Sequence, residues 1–101
     1  MLDLMTDHPD YRVKNLADHY GLDHQLGKLK EECGELREAI DIHQFAHTPQ
    51  SKWALICEIA DVIFVALQVL YKLTTSMKCV DAIIEYKYIR QIQRIADGVE
   101  R

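Results

Sequence analysis

From Ala54 to Leu73 nearly every residue is apolar, and only Glu58, Asp61, Gln68 and Lys72 interrupt the run. With no proline or glycine inside it, the stretch reads as one long helix that is apolar on all sides. Such a helix is expected to be the central, most buried element of its fold. The uncharged part, Val62 to Tyr71, is well short of the roughly 20 residues that span a bilayer. A buried helix of a soluble protein is therefore expected, with no membrane partner.

The rest of the chain is organised around that helix. Leu22, Leu26, Leu29, Cys33, Leu36 and Ile40 recur at alternating steps of four and three. This is a helical period, and it predicts a helix from about Asp23 to Phe45 with that stripe as its packed face. His47-Thr48-Pro49 breaks the pattern, and the apolar helix starts near Thr48 or Ser51. A shorter first helix is expected from about Pro9 to Tyr20, with Asp7 as N-cap and the proline in the first turn. A turn at Thr74-Thr75-Ser76 precedes a last helix from Met77 to Ala96. Gly21 and Gly98 read as helix ends. No segment reads as a strand. The expectation is an all-α, antiparallel four-helix arrangement with short loops.

The 101 residues form one domain, with an N-terminal arm and short helix in 1–20 and the motif-bearing helices in 22–96. A chain this short buries a modest core, so completion of the fold by oligomerisation is expected. The formal net charge of −4 argues against general nucleic-acid binding, which wants a basic face. Cys33, Cys57 and Cys79 are odd in number, far apart and without CxxC spacing. They read as buried, reduced thiols of a cytoplasmic protein rather than a disulfide framework or zinc ribbon. Met1-Leu2-Asp3-Leu4 carries neither a basic region nor a long apolar run, so it does not read as a signal peptide.

Two acidic pairs carry the chemistry: Glu32-Cys33-Gly34-Glu35 and Glu58-Ile59-Ala60-Asp61. Residues at i and i+3 face the same way on a helix, roughly 5–6 Å apart at Cβ, so each pair can offer oxygens to one point. Glu32 and Glu35 each precede a stripe residue by one position, at the border of the packed face. Glu58 and Asp61 stand in a helix with almost no polar face. Buried carboxylates without compensation are costly, and a divalent cation is the natural compensation. An all-oxygen donor set suits Mg²⁺ or Mn²⁺ rather than zinc or copper. Magnesium in turn suggests a phosphorylated substrate. Glu31 and Glu38 on the same helix are expected to face solvent or to lie outside the ligand set.

Lys30-Glu31-Glu32-Cys33-Gly34-Glu35-Leu36 followed by Glu58-Ile59-Ala60-Asp61-Val62 resembles the MazG-like all-α nucleoside triphosphate pyrophosphohydrolases, whose pattern is EExxEL then ExxD. The resemblance extends to Gln25 and to the stretch from Lys87 to Arg94, covering roughly residues 22–95. It implies Mg²⁺ on Glu32, Glu35, Glu58 and Asp61, which are also the catalytic residues. It implies hydrolysis of a nucleoside triphosphate, such as a deoxynucleotide or a noncanonical one, to the monophosphate and pyrophosphate. It further implies a homodimer or homotetramer whose site is completed by a second subunit. Many members carry Asn where this chain has Gln91, a position associated with holding substrate.

Lys87, Arg90 and Arg94 form one helical stripe on the last helix. They are either a clamp for triphosphate oxygens or favourable cations towards a helix C-terminus; the resemblance favours the clamp for Lys87 and Arg94. Trp53 either stacks on a base or packs near a helix start. Gln25 can hydrogen-bond a base edge, whereas Lys28 and Lys30 read as surface residues. His43 and His47 lie at i, i+4 without an intervening HExxH glutamate and read as a polar helix end; His8, His19 and His24 show no constellation. The absence of any ExxH disfavours a redox carboxylate bundle, and the buried acids disfavour a plain coiled-coil adaptor. A catalytically silent metal- or nucleotide-binding module would have the same sequence pattern.

Overall fold

The computed structural model describes residues 10–74 and 76–98, all helix and short connections, with no strand among them. Four helices follow in order: α1 Tyr11–Tyr20, α2 Leu22–Ala46, α3 Pro49–Leu73 and α4 Met77–Ala96. The expected boundaries agree within a few residues. Helix α1 is capped by Asp10, whose side chain accepts from Arg12 N at 2.8 Å. The Arg12 guanidinium folds back onto the same carboxylate and holds its pKa down to about 2. Asp7 and Pro9, the expected start of this helix, lie outside the described residues.

Helices α2 and α3 are joined only by His47 and Thr48, and they pack along their length as a helical hairpin. The join is built from local chemistry. His47 ends α2 in the left-handed region at φ 51°. Thr48 Oγ1 accepts from Ser51 N and Ser51 Oγ accepts from Thr48 N, both at 3.0 Å. This reciprocal pair is a capping box, with Pro49 in the first turn. His43 reaches across from the end of α2 to Ser51 Oγ at 2.7 Å, which accounts for it as part of a polar helix end.

Helix α1 packs mainly on α3 through Val13 and Ala17, one turn apart and both buried. At its edge Asp18 accepts from Lys14 and from Lys72 of α3, at 2.9 and 3.0 Å. A single residue, Gly21, separates α1 from α2; its φ of 83° and ψ of 168° lie in a region open only to glycine.

Burial across α2 is graded. Gln25, Glu32 and Ala39 are buried, Leu22, Leu29 and Leu36 are half-buried, and Leu26, Cys33 and Ile40 are exposed. The predicted stripe is thus only partly the packed face, because α3 covers the side of α2 next to it. Helix α3 contacts both α1 and α2, yet it is not buried all round: Ile56, Ile59 and Ile63 on its far side are about 40–45 % exposed. By length and composition alone, α3 is long and apolar enough to cross a membrane. The three cysteines are exposed and free rather than buried. Cys33 lies on a side of α2 that stays exposed among the described residues.

Helix α4 stands largely apart from the α1–α3 unit and has no buried residue. Ile83, Ile84, Tyr88, Ile89, Ile92 and Ile95 are all exposed. The radius of gyration is 16.2 Å, against about 13 Å for a compact domain of this length. One chain is all-helical as expected, but its packed unit contains three of the four helices.

Candidate metal centre

The register of the α2–α3 hairpin builds the site. Gln25 Nε2 donates to Gln68 Oε1 at 2.6 Å near one end, and His43 meets Ser51 near the other. The two hydrogen bonds agree on one antiparallel register to within a residue. On that register Glu32 is level with Asp61, and Glu35 is level with Glu58. The i, i+3 spacing of each pair then turns the acids toward one another.

Glu32, Glu58 and Asp61 each offer a carboxylate oxygen, and these three atoms lie within 4.8 Å of one another. Glu32 is 6 % exposed, Glu58 is half-buried and Asp61 is exposed. Lys28 Nζ approaches Glu32 Oε1 at 3.3 Å and Glu31 at 3.5 Å, so this surface lysine compensates one oxygen of the buried acid. Glu32 Oε2 and Glu58 Oε2 are buried with no hydrogen-bond partner. Native proteins rarely leave such atoms unsatisfied. A hard divalent cation with oxygen ligands fits this donor set.

Electrostatics reports the same crowding. Burial, then the charges of Asp61, Glu32 and Glu38, push the Glu58 carboxyl above the ordinary carboxylate range. Glu35 is exposed and stands beside Glu32 without joining the trio. A hydrogen bond shared with Glu32, and the Glu32 charge, raise its carboxyl as well. Neighbouring negative charge thus opposes ionisation at Glu58 and at Glu35.

A cleft of about 470 Å³ opens beside the trio between α1, α2 and α3. Glu32 and Asp61 form one end, and Gln25, Gln68, His24 and Tyr20 line it further along. Of the residues singled out in the sequence, Gln25 therefore stands in the wall of the cleft. Trp53 is 66 % exposed and is not part of that wall. Lys87, Arg90, Gln91 and Arg94 lie on α4 and do not line the cleft of their own chain.

His24, Lys28 and Gln68 are the site residues that sequence reasoning passed over. His24 was expected to belong to no constellation, but Nδ1 lies 2.7 Å from Gln25 Oε1 and the ring stacks on Tyr20. Gln68 could have been found, since it is the one uncharged polar interruption of the apolar run. Lys28 also carried a signal, standing four residues before Glu32 on one helix face. Compared with known proteins, the chain matches no family model, no curated protein and no solved structure.

Proposed function

We propose that this chain is a Mg²⁺-dependent nucleoside triphosphate pyrophosphohydrolase of the MazG-like kind, working in the cytoplasm. The observation that carries the reading is the trio of Glu32, Glu58 and Asp61 with two buried, unpartnered carboxylate oxygens. The sequence resemblance supplies the reaction: cleavage between the α and β phosphates.

Glu32, Glu58 and Asp61 are the residues that hold the ion. Bound there, Mg²⁺ would supply charge neutralisation for the triphosphate and activation of a water. Glu35, next to Glu32 and outside the trio, is the carboxylate we assign to accept the proton of the attacking water. Lys87, Arg90 and Arg94 are assigned to the phosphate oxygens, with Gln91 beside them.

In this reading α4 meets the cleft of a second copy of the chain, giving a homodimer or a larger homo-oligomer. Three observations support it. The basic stripe of α4 is complementary to the acids of α2 and α3. The exposed isoleucines of α3 and α4 form uncovered apolar faces, which in a soluble protein signal association. The chain exposes 7821 Å², about 1,900 Å² more than a compact monomer of its size. A standard interface needs only about 800 Å² from each partner. The antiparallel four-helix bundle is then completed between chains.

The test is product analysis after incubation with ribo- and deoxyribonucleoside triphosphates and Mg²⁺, using Glu58→Gln as control. Monophosphate plus pyrophosphate, lost in the control, is the expected result. Diphosphate plus orthophosphate refutes the cleavage site. No turnover by folded, metal-loaded protein refutes the enzyme and leaves a binding module.

A further inference from the structure

The cleft beside the acidic trio has a polar wall in which Phe64 O, Gln68, Gln25 and His24 form one run of hydrogen bonds. The Phe64 carbonyl oxygen can only accept. The Gln68 side chain lies 3.4 Å from it, so the near atom is the Gln68 amide nitrogen. Gln68 Oε1 therefore points at Gln25, and the Gln25 atom facing it at 2.6 Å is Nε2. Gln25 Oε1 is then left for His24 Nδ1, 2.7 Å away. An amide oxygen accepts only, so His24 carries a proton on Nδ1, and in the neutral ring its Nε2 is an acceptor. Gln25 and Gln68 are 3 % and 2 % exposed, so neither amide can turn over alone without stranding buried polar atoms, and turning both together sets Gln68 Oε1 against the Phe64 carbonyl oxygen.

The surroundings suit a flat ligand. His24 lies against Tyr20 with ring centroids 4.6 Å apart and planes 13° from parallel. Leu16, Phe64 and Val65 supply apolar surface, and about 470 Å³ is available. That volume falls within the range of small-molecule sites lined by apolar surface and a few placed polar groups.

We propose that this cleft is a subsite for the planar ring of the ligand, with His24, locked as the Nδ1–H tautomer by Gln25 and Gln68, accepting a hydrogen bond at Nε2 from an N–H on the ring edge. That the ring is a nucleobase rests on the nucleotide reading above. His24 and Gln68 are then specificity-determining and positioning residues respectively, remote from the hydrolytic step.

The experiment uses the full chain, without metal, and the nucleosides uridine and 3-methyluridine, which differ in one ring N–H. Long-range ¹H–¹⁵N spectra of the imidazoles read the His24 tautomer directly. The expected result is Nδ1–H in the wild-type chain and a tautomer mixture in Gln68→Met. Uridine is expected to perturb His24 and Tyr20 and to bind roughly tenfold more tightly than 3-methyluridine, with the preference shrinking in Gln68→Met. An Nε2–H tautomer in the wild-type chain overturns the proposal, as does equal binding of the two nucleosides. These wild-type measurements stand whether or not the variant folds. Triphosphate hydrolysis without any uridine effect in the cleft sinks the subsite and spares the reaction; uridine discrimination without hydrolysis does the reverse.

Discussion

Glu32 and Glu58 reach the same point from different helices, and each keeps one carboxylate oxygen buried with no hydrogen-bond partner. In metal-free protein this arrangement opposes folding once the acids ionise. The folded-state pKa of Glu58 is raised, so the folded chain binds more protons than the unfolded one just above the ordinary carboxylate range. The Glu58 contribution to stability is therefore greatest below the ordinary carboxylate range and falls as pH rises through the raised value, opposite in sign to that of Asp10, whose carboxyl is lowered. Thermal melts of metal-free protein should show this decline, shallower in Glu58→Gln. At neutral pH, saturating Mg²⁺ should raise the Tm by several degrees in the wild-type chain and by much less in the variant. A Tm indifferent to Mg²⁺ at every pH would remove the metal centre.

Glu35 differs from its neighbour in exposure and in standing outside the trio. Glu35→Gln should lower kcat roughly a hundredfold or more, the range of a lost general base, while Mg²⁺ affinity changes little. Glu32→Gln should weaken Mg²⁺ binding itself. Calorimetric titration with Mg²⁺ beside steady-state kinetics separates the two; equal loss of metal by both variants would return Glu35 to the ligand set.

Ile84 and Ile95 fall on one side of α4, and both are about half exposed. Covered by a second copy, they are core residues of an interface. Ile84→Asp with Ile95→Asp should shift the sedimentation coefficient from an oligomer to a monomer. Activity should fall with it, since Lys87, Arg90 and Arg94 belong to the same helix. An unchanged sedimentation profile would place the interface elsewhere.

Thr48 caps α3 and shares two hydrogen bonds with Ser51. Thr48→Ala should cost about 1 kcal/mol in denaturant unfolding, the usual effect of losing an N-cap. Two-state unfolding with an unchanged m-value is the expected form.

Much of this fold was legible because its signals are local. The break at His47-Thr48-Pro49 stands almost equally far from Glu35 and Glu58. Closing a helical hairpin there brings the acidic pairs level, so two motifs and one turn contain most of the site. The side of α2 that would be buried was less legible. Leu26, Cys33 and Ile40 are as apolar as their neighbours, and periodicity cannot say which apolar line meets a partner in the same chain. The Gln25–Gln68 contact joins residues 43 positions apart, and no local pattern announces it. His24 was opaque for the same reason, since its role depends on a glutamine fixed by another helix. The position of α4 had no sequence signal, because an amphipathic helix looks the same whichever chain covers it.

Gly21 is the only residue between α1 and α2, and no side chain crowds it. Its constraint is in its own torsion angles. Helix α1, which contributes Leu16 and Tyr20 to one wall of the cleft, is therefore aimed by a single corner. An L-residue there is strained at φ 83°, and relieving that strain through another backbone region changes the angle between α1 and α2. The width of the opening beside the acids is thus set by an atom that is missing, the Cβ of residue 21. A lineage reshaping this cleft could do so at that corner without altering any residue that lines it.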